Sequence, residues 1–159
     1  MDSRLIEPFV ESTKTLLKDM TGIDIVKMSV PTEQVGEVDS MGVCTTITFA
    51  GKCKGRFMID MPPELALAMV SNMSGEKMDS IKYKLFLAGI AEMNNIIAGD
   101  ANTVLNNQYA LGLRLAPPIV FTGKNMIVAT AKMDAVFIEA STELGPIKIN
   151  IAFEGGIEV

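Results

Sequence analysis

The chain has 159 residues, 48% of them hydrophobic and 21% charged, and a net charge of -5. That suits one globular domain with a sizeable core, and the acidic balance argues against a general nucleic-acid binder, which would show a basic face. There is no histidine, which excludes Ser-His-Asp and Cys-His nucleophile systems and every His-containing zinc site; two cysteines alone cannot build a structural zinc site.

Read in order, residues 3–20 are amphipathic. Leu5, Phe9, Leu16, Leu17 and Met20 recur at near-helical spacing, with Ser3 as a start and Gly22 as a stop. Residues 23–40 hold Pro31 and Gly36 and read as a short strand and a loop. In VCTTITFAGKCKGRFMIDM, Val43, Thr45, Ile47 and Phe49 alternate with Cys44, Thr46 and Thr48. Phe57, Ile59 and Met61 alternate in the same way after a turn at Gly51-Lys52, a hairpin pattern. A two-residue turn sets Cys44 opposite Ile59 rather than Cys53, so two free thiols and a reducing compartment are expected. Lys52, Lys54 and Arg56 read as a solvated strand face.

Pro62-Pro63-Glu64 opens a helix, ELALAMVSNM, that stops at Ser74-Gly75. A second helix is predicted from about Asp79 to Asn106. The remainder reads as strands: IVFTGKNMIVATA turns at Gly123-Lys124, and AVFIEASTELGPIKINIAFE turns around Leu144-Gly145-Pro146. The twelve methionines suit adaptable core filling. Strands joined by short turns predict a single α+β domain over residues 1–159, an antiparallel β-sheet with two long helices packed on one face. No apolar run approaches the ~18 residues of a membrane span, and MDSRLIEPFVES lacks the apolar stretch of a signal peptide. The expected location is cytoplasmic, with no nucleic acid and no membrane as partner.

The second predicted helix contains GIAEMNNIIAGDANTVLNN, residues 89–107, whose asparagines and glycines are poor helix formers. At 100° per residue, Phe86, Leu87, Met93, Asn94, Ile97, Ala101, Val104 and Leu105 fall within about 60° of Ile90 and form a buried stripe, with Asn94 near one edge. Ala88, Glu92, Asn95, Gly99 and Asn102 fall on the opposite side. Glu92 and Asn95 are thus outward neighbours three apart. Small residues on either side, Ala88 and Gly99, leave that face flat enough for another protein's backbone; Asn102 shares it and is a candidate partner contact.

Three stretches carry a family likeness: PFVESTKTLLKDMTGIDI, GRFMIDMPPELALAMVSNMSGEK and AEMNNIIAGDAN. Through them the chain, from about Phe9 to Glu154, resembles the CheX branch of the CheC/CheX/FliY chemotaxis phosphatases. The family signature is Asp or Ser, three residues, Glu, two residues, Asn, twenty-two residues, Pro; Glu92, Asn95 and Pro118 stand at that spacing. Ala88 stands where the family has Asp or Ser, and Glu11 is followed three residues later by Lys14 rather than Asn, so one site per chain is expected, as in CheX.

The resemblance implies a CheC-like fold and an aspartyl-phosphate phosphatase acting on a phosphorylated CheY-like response regulator. It implies catalytic roles for two residues: Asn95 orients the attacking water and Glu92 engages the regulator's lysine, while Pro118 shapes the site. No cofactor is expected on this chain; Mg²⁺ is expected on the regulator. Homodimers joined through sheet edges are implied as well. The alternative is a non-catalytic CheC-fold module that binds a response regulator or a flagellar switch component, a reading that Ala88 keeps open.

Overall fold

A computed structural model describes residues 1–33 and 36–157. The first helix, α1 (Ser3–Thr21), begins at Ser3 as the sequence suggests, and Asp2 is its cap, its carboxylate accepting from the Arg4 N–H at 3.0 Å. Gly22 closes it in the left-handed conformation, φ 70°, and its N–H donates to the Lys18 carbonyl at 2.8 Å. Three short strands replace the single strand expected next: β1 (Ile25–Met28), β2 (Thr32–Glu33) and β3 (Glu37–Asp39). Then come β4 (Val43–Ala50) and β5 (Lys54–Met61), α2 (Pro63–Ser74) and α3 (Lys84–Tyr109). The chain ends with β6 (Arg114–Leu115), β7 (Ile119–Thr122), β8 (Ile127–Ala129), β9 (Asp134–Thr142) and β10 (Gly145–Glu154).

The main sheet is antiparallel in the order β1-β9-β10-β5-β4, with β6 and β7 along the outer side of β4 and β2 against β9. One face carries Val43, Ile47, Phe49, Phe57, Ile59, Ile149, Ile151 and Phe153, all buried beneath the three helices. Phe9 of α1 is their hub, its ring 5.4 Å from Phe49, 5.1 Å from Phe57 and 6.1 Å from Phe153. Burying a side chain of this size contributes roughly 1.5–3 kcal/mol, so Phe9 anchors α1 together with the buried Leu5, Ile6 and Leu17. Among the described residues, no helix is long and apolar enough to cross a membrane.

Several expectations change in detail. The β4–β5 connection is three residues long, Gly51 to Cys53, because Ala50 pairs with Lys54; Cys44 therefore faces Asp60, not Ile59. The shift follows from the strand pattern itself. Pairing Thr45 with Ile59 and Ile47 with Phe57 puts both apolar sets on one face, and a slip of one residue would expose one of them. Both cysteines are free, as expected, and both are buried. The helix predicted from Asp79 begins at Lys84; residues 79–83 form a turn.

Residues 119–129 do not make a hairpin. β7 pairs with β4, while β8 pairs with β3 in a separate two-stranded sheet. That small sheet covers the back of the main one, where Val38 and Val128 close over Cys44 and Met58. Arg56 is consequently not on a solvated face. It is 5% exposed, its Nη1 donating to the Ala131 carbonyl at 3.2 Å and its Nη2 to Asn150 Oδ1 at 3.3 Å. Lys52 and Lys54 do face solvent.

Candidate functional site

α3 crosses β4 near the sheet edge, with β6 and β7 beyond it. Its buried stripe comprises Phe86, Ile90, Met93, Asn94, Ile97, Ala98, Ala101, Asn102 and Leu105. Two departures from the sequence reading stand out. Leu87 and Val104 are only partly buried, and Asn102, assigned to the outward face, is 3% exposed. The stripe is rotated toward Ala98 and Asn102 because α3 leans over the β6–β7 segment and buries that flank too; a Cβ built on Gly99 meets Leu115 at 3.6 Å. Asn102 is thus no partner contact, and neither polar atom of its amide has a hydrogen-bond partner.

Glu92 and Ala88 are exposed and Asn95 is half-buried. Among the described residues, neither the Glu92 carboxylate nor the Asn95 carboxamide is engaged by a hydrogen bond or ion pair within the chain. Both stand on a 26-residue helix whose inner face is locked in the core. The two groups are one turn apart, held on a rigid element, and free to act on something outside the chain. Leu85 and Ile96, 43% and 37% exposed, lie on the same face as Glu92.

Pro118 immediately precedes β7, as expected of a strand start. Within β7, Val120 stands opposite Thr45 of β4, and strand alternation puts Pro118 on the same side as Val120 and Thr45, the side that α3 covers. The register therefore brings the third signature position to the border of the helix that carries the other two. The α1 positions Glu11 and Lys14 instead form an ion pair at 3.8 Å and build no second Glu-Asn pair.

The other asparagines of α3 have distinct tasks. Asn106 holds the returning chain, its amide donating to the Leu113 carbonyl at 3.0 Å and accepting from the Leu113 N–H at 2.7 Å. Asn94 is fully buried and donates from Nδ2 to Thr45 Oγ1 at 3.1 Å. The sequence put Asn94 near the buried stripe but held no sign of Thr45 as its partner.

Burial shifts the pKa values of Asp60, Arg56 and Cys44, which lie on the back of the sheet. Among the described residues, no cluster of three His, Cys, Asp or Glu side chains could hold a metal. The site can therefore offer one amide and one carboxylate on an open surface, a set suited to positioning and to contacting a cation.

A family model described as chemotaxis phosphatase CheX matches residues 43–141. Among solved structures, the chain is similar to a CheC-like superfamily protein from Shewanella sp. PV-4, with 28% identity over 98% of this chain and 100% of that one and a TM-score of 0.84. It is similar to the Borrelia burgdorferi structure described as a CheX-CheY-BeF3-Mg complex, with 28% identity over 94% and 97% and a TM-score of 0.80. A chemotaxis protein CheX from Desulfovibrio desulfuricans shares the fold at 22% identity over 94% and 99%, with a TM-score of 0.84. No curated protein sequence matches the chain significantly.

Proposed function

The chain belongs to the CheX family of chemotaxis phosphatases, whose model spans residues 43–141, and on that premise we propose that it speeds hydrolysis of the aspartyl phosphate on a CheY-like response regulator through Asn95 and Glu92. The observation that carries this reading is the pair itself: a carboxamide and a carboxylate, unpaired among the described residues, one turn apart on the outward face of a rigid helix.

The regulator supplies Mg²⁺ and a lysine at its own phosphoryl group, so this chain needs neither metal nor histidine. Asn95 enters that site, its oxygen accepting from a water and its nitrogen free to donate, and orients the water in line with phosphorus. Water attacks phosphorus, the bond to the aspartyl oxygen breaks, and the regulator's carboxylate and inorganic phosphate leave. Glu92 meets the regulator's lysine in a charge-assisted contact that sets the register of docking. Ala88 and Gly99 keep the helix face low enough for the approach. Leu85 and Ile96 add apolar area beside Glu92. Two copies are proposed to pair through sheet edges, where β1 is an outermost strand with Val26 63% exposed.

Ala88 favours one further reading, a binding module that docks on the regulator without speeding hydrolysis. A single assay separates the two. A CheY-type regulator from the same source is phosphorylated with a small phosphodonor, and phosphate loss is followed with wild type, Asn95→Ala and Glu92→Ala. Acceleration by the wild type, lost by roughly a hundredfold in Asn95→Ala, is the expected result, with Glu92→Ala acting mainly through KM. Binding without acceleration by the wild type would establish the module instead.

A further inference from the structure

Asn94 is out of place in its surroundings. It is 0% exposed, between turns made of Ile90, Met93, Ile97 and Ala98, and its Oδ1 has no hydrogen-bond partner. An acceptor buried unpaired is costly to the fold, so an apolar residue would be the ordinary occupant of this position. What Asn94 does make is a directional bond, 3.1 Å from its Nδ2 to Oγ1 of Thr45, a residue itself 1% exposed. Thr45 sits on β4 opposite Val120 of β7, the strand that follows Pro118.

The apolar side chains around Asn94 hold α3 against the sheet but specify its rotation weakly, because hydrophobic burial is non-directional. A hydrogen bond loses strength steeply as its angle departs from linear. Neighbouring helix residues leave the axis 100° apart, at 3.6 residues per turn. Pinning Asn94 therefore fixes the direction in which Asn95 leaves the helix, and with it the direction of Glu92.

We propose that Asn94 is a positioning residue: its buried amide, pegged to Thr45, sets the rotation of α3 and so aims Asn95 and Glu92 relative to the β4–β7 edge. The proposal rests on reading Glu92 and Asn95 as the site, and it adds a pair, Asn94 and Thr45, that touches neither water nor regulator. A charge contact such as that of Glu92 varies gently with distance and tolerates a small misplacement, whereas the water held by Asn95 must lie in line, so loss of the peg falls on kcat.

The test uses Asn94→Ala, Thr45→Val, Thr45→Ser and the double variant Asn94→Ala/Thr45→Val. Phosphate loss is measured over a range of phosphorylated-regulator concentrations, together with each protein's melting temperature. Asn94→Ala and Thr45→Val each lower kcat about tenfold with KM within about twofold, since small misplacements of a positioning group cost rate. The double variant falls no further than the worse single variant, because both substitutions break one bond. Thr45→Ser keeps the hydroxyl and the wild-type kcat. An amide with a merely structural role would lower the melting temperature and leave kcat of the folded protein untouched, and that result, or losses that multiply in the double variant, overturns the proposal.

Should Asn94→Ala not fold, Thr45→Val and Thr45→Ser carry the same comparison. A wild type that fails to accelerate hydrolysis overturns the reading of the site and the catalytic part of this proposal together. The peg is then judged by hydrogen exchange. Backbone amides of residues 92–99 exchanging about tenfold faster in Thr45→Val than in Thr45→Ser would uphold it; equal rates would overturn it.

Discussion

At the scale of single residues, burial decides which polar groups serve the fold and which remain for a partner. Asn106 has both sides of its amide used, Asn94 one, and Asn102 neither, while Asn95, adjacent to Asn94, keeps its amide free at the surface. Asp60 is the informative carboxylate on the other side of the sheet. It is 1% exposed and accepts from the Ser40 hydroxyl at 2.5 Å and the Met41 N–H at 2.8 Å. Burial pushes its carboxyl above the ordinary value of 3.8, outweighing those two bonds and the pull of Lys148. A carboxyl raised in the folded state binds its proton there before it does in the unfolded chain. Its titration therefore stabilises the protein as pH falls through the raised value toward 3.8, and that contribution is lost as pH rises through the raised value. Asp60→Asn does not titrate. The melting temperature of Asp60→Asn relative to wild type should thus be more favourable at neutral than at mildly acid pH, by a few degrees for a chain of this size. A difference that is flat across that window, in paired melting curves, would contradict the assignment.

At the scale of elements, α3 is shaped by two glycines with opposite surroundings. A Cβ on Gly89 would stand 2.7 Å from Val70 of α2, so this glycine lets two helices touch. A Cβ on Gly99 meets only Leu115 at an ordinary 3.6 Å. Gly89→Ala should destabilise by about 1–3 kcal/mol through overpacking, whereas Gly99→Ala should stabilise by up to ~1 kcal/mol through helix propensity; urea midpoints measure both. If Gly99 is small because a regulator's backbone passes close, Gly99→Ala will also raise KM for the phosphorylated regulator while the fold becomes more stable. Unchanged KM would remove that role from Gly99. The helices themselves were legible in the sequence, α2 to within a residue at both ends, because proline and glycine mark its ends: Pro63 at its first position and Gly75 as its left-handed cap. The start of α3 was not legible, since residues 79–83 hold no glycine or proline to set them apart from the helix and no capping side chain marks Lys84.

At the scale of the whole molecule, the small β3–β8 sheet turns the back of the main sheet into a second interior. It encloses Cys44, whose thiol burial and the nearby Asp60 charge push up to about 12. Cys53 is buried in the main core, and burial raises its thiol as well. The thiolate is the reactive form, so neither cysteine should take up an alkylating reagent at neutral pH in the native protein, and both should in denaturant, as read by mass spectrometry. Labelling of Cys44 alone under native conditions would mean that the small sheet opens independently of the rest. The same covering sheet explains why Arg56 was misplaced: one strand's alternation shows which face a residue is on, not whether another element covers that face.

The sequence by itself determined the antiparallel α+β architecture, the faces of β4 and β5, the order of the elements, and the outward pairing of Glu92 with Asn95. Each of these follows from periodicity and end signals within a short stretch of chain. Tertiary structure alone decided the three-residue β4–β5 loop, the assignment of β7 and β8 to different sheets, the burial of Arg56 and Asn102, and the partnership of Asn94 with Thr45. Those depend on contacts between residues far apart in the chain, 49 positions in the case of Asn94 and Thr45. No local pattern records such a pairing, because it forms only when the helix has been laid across the sheet.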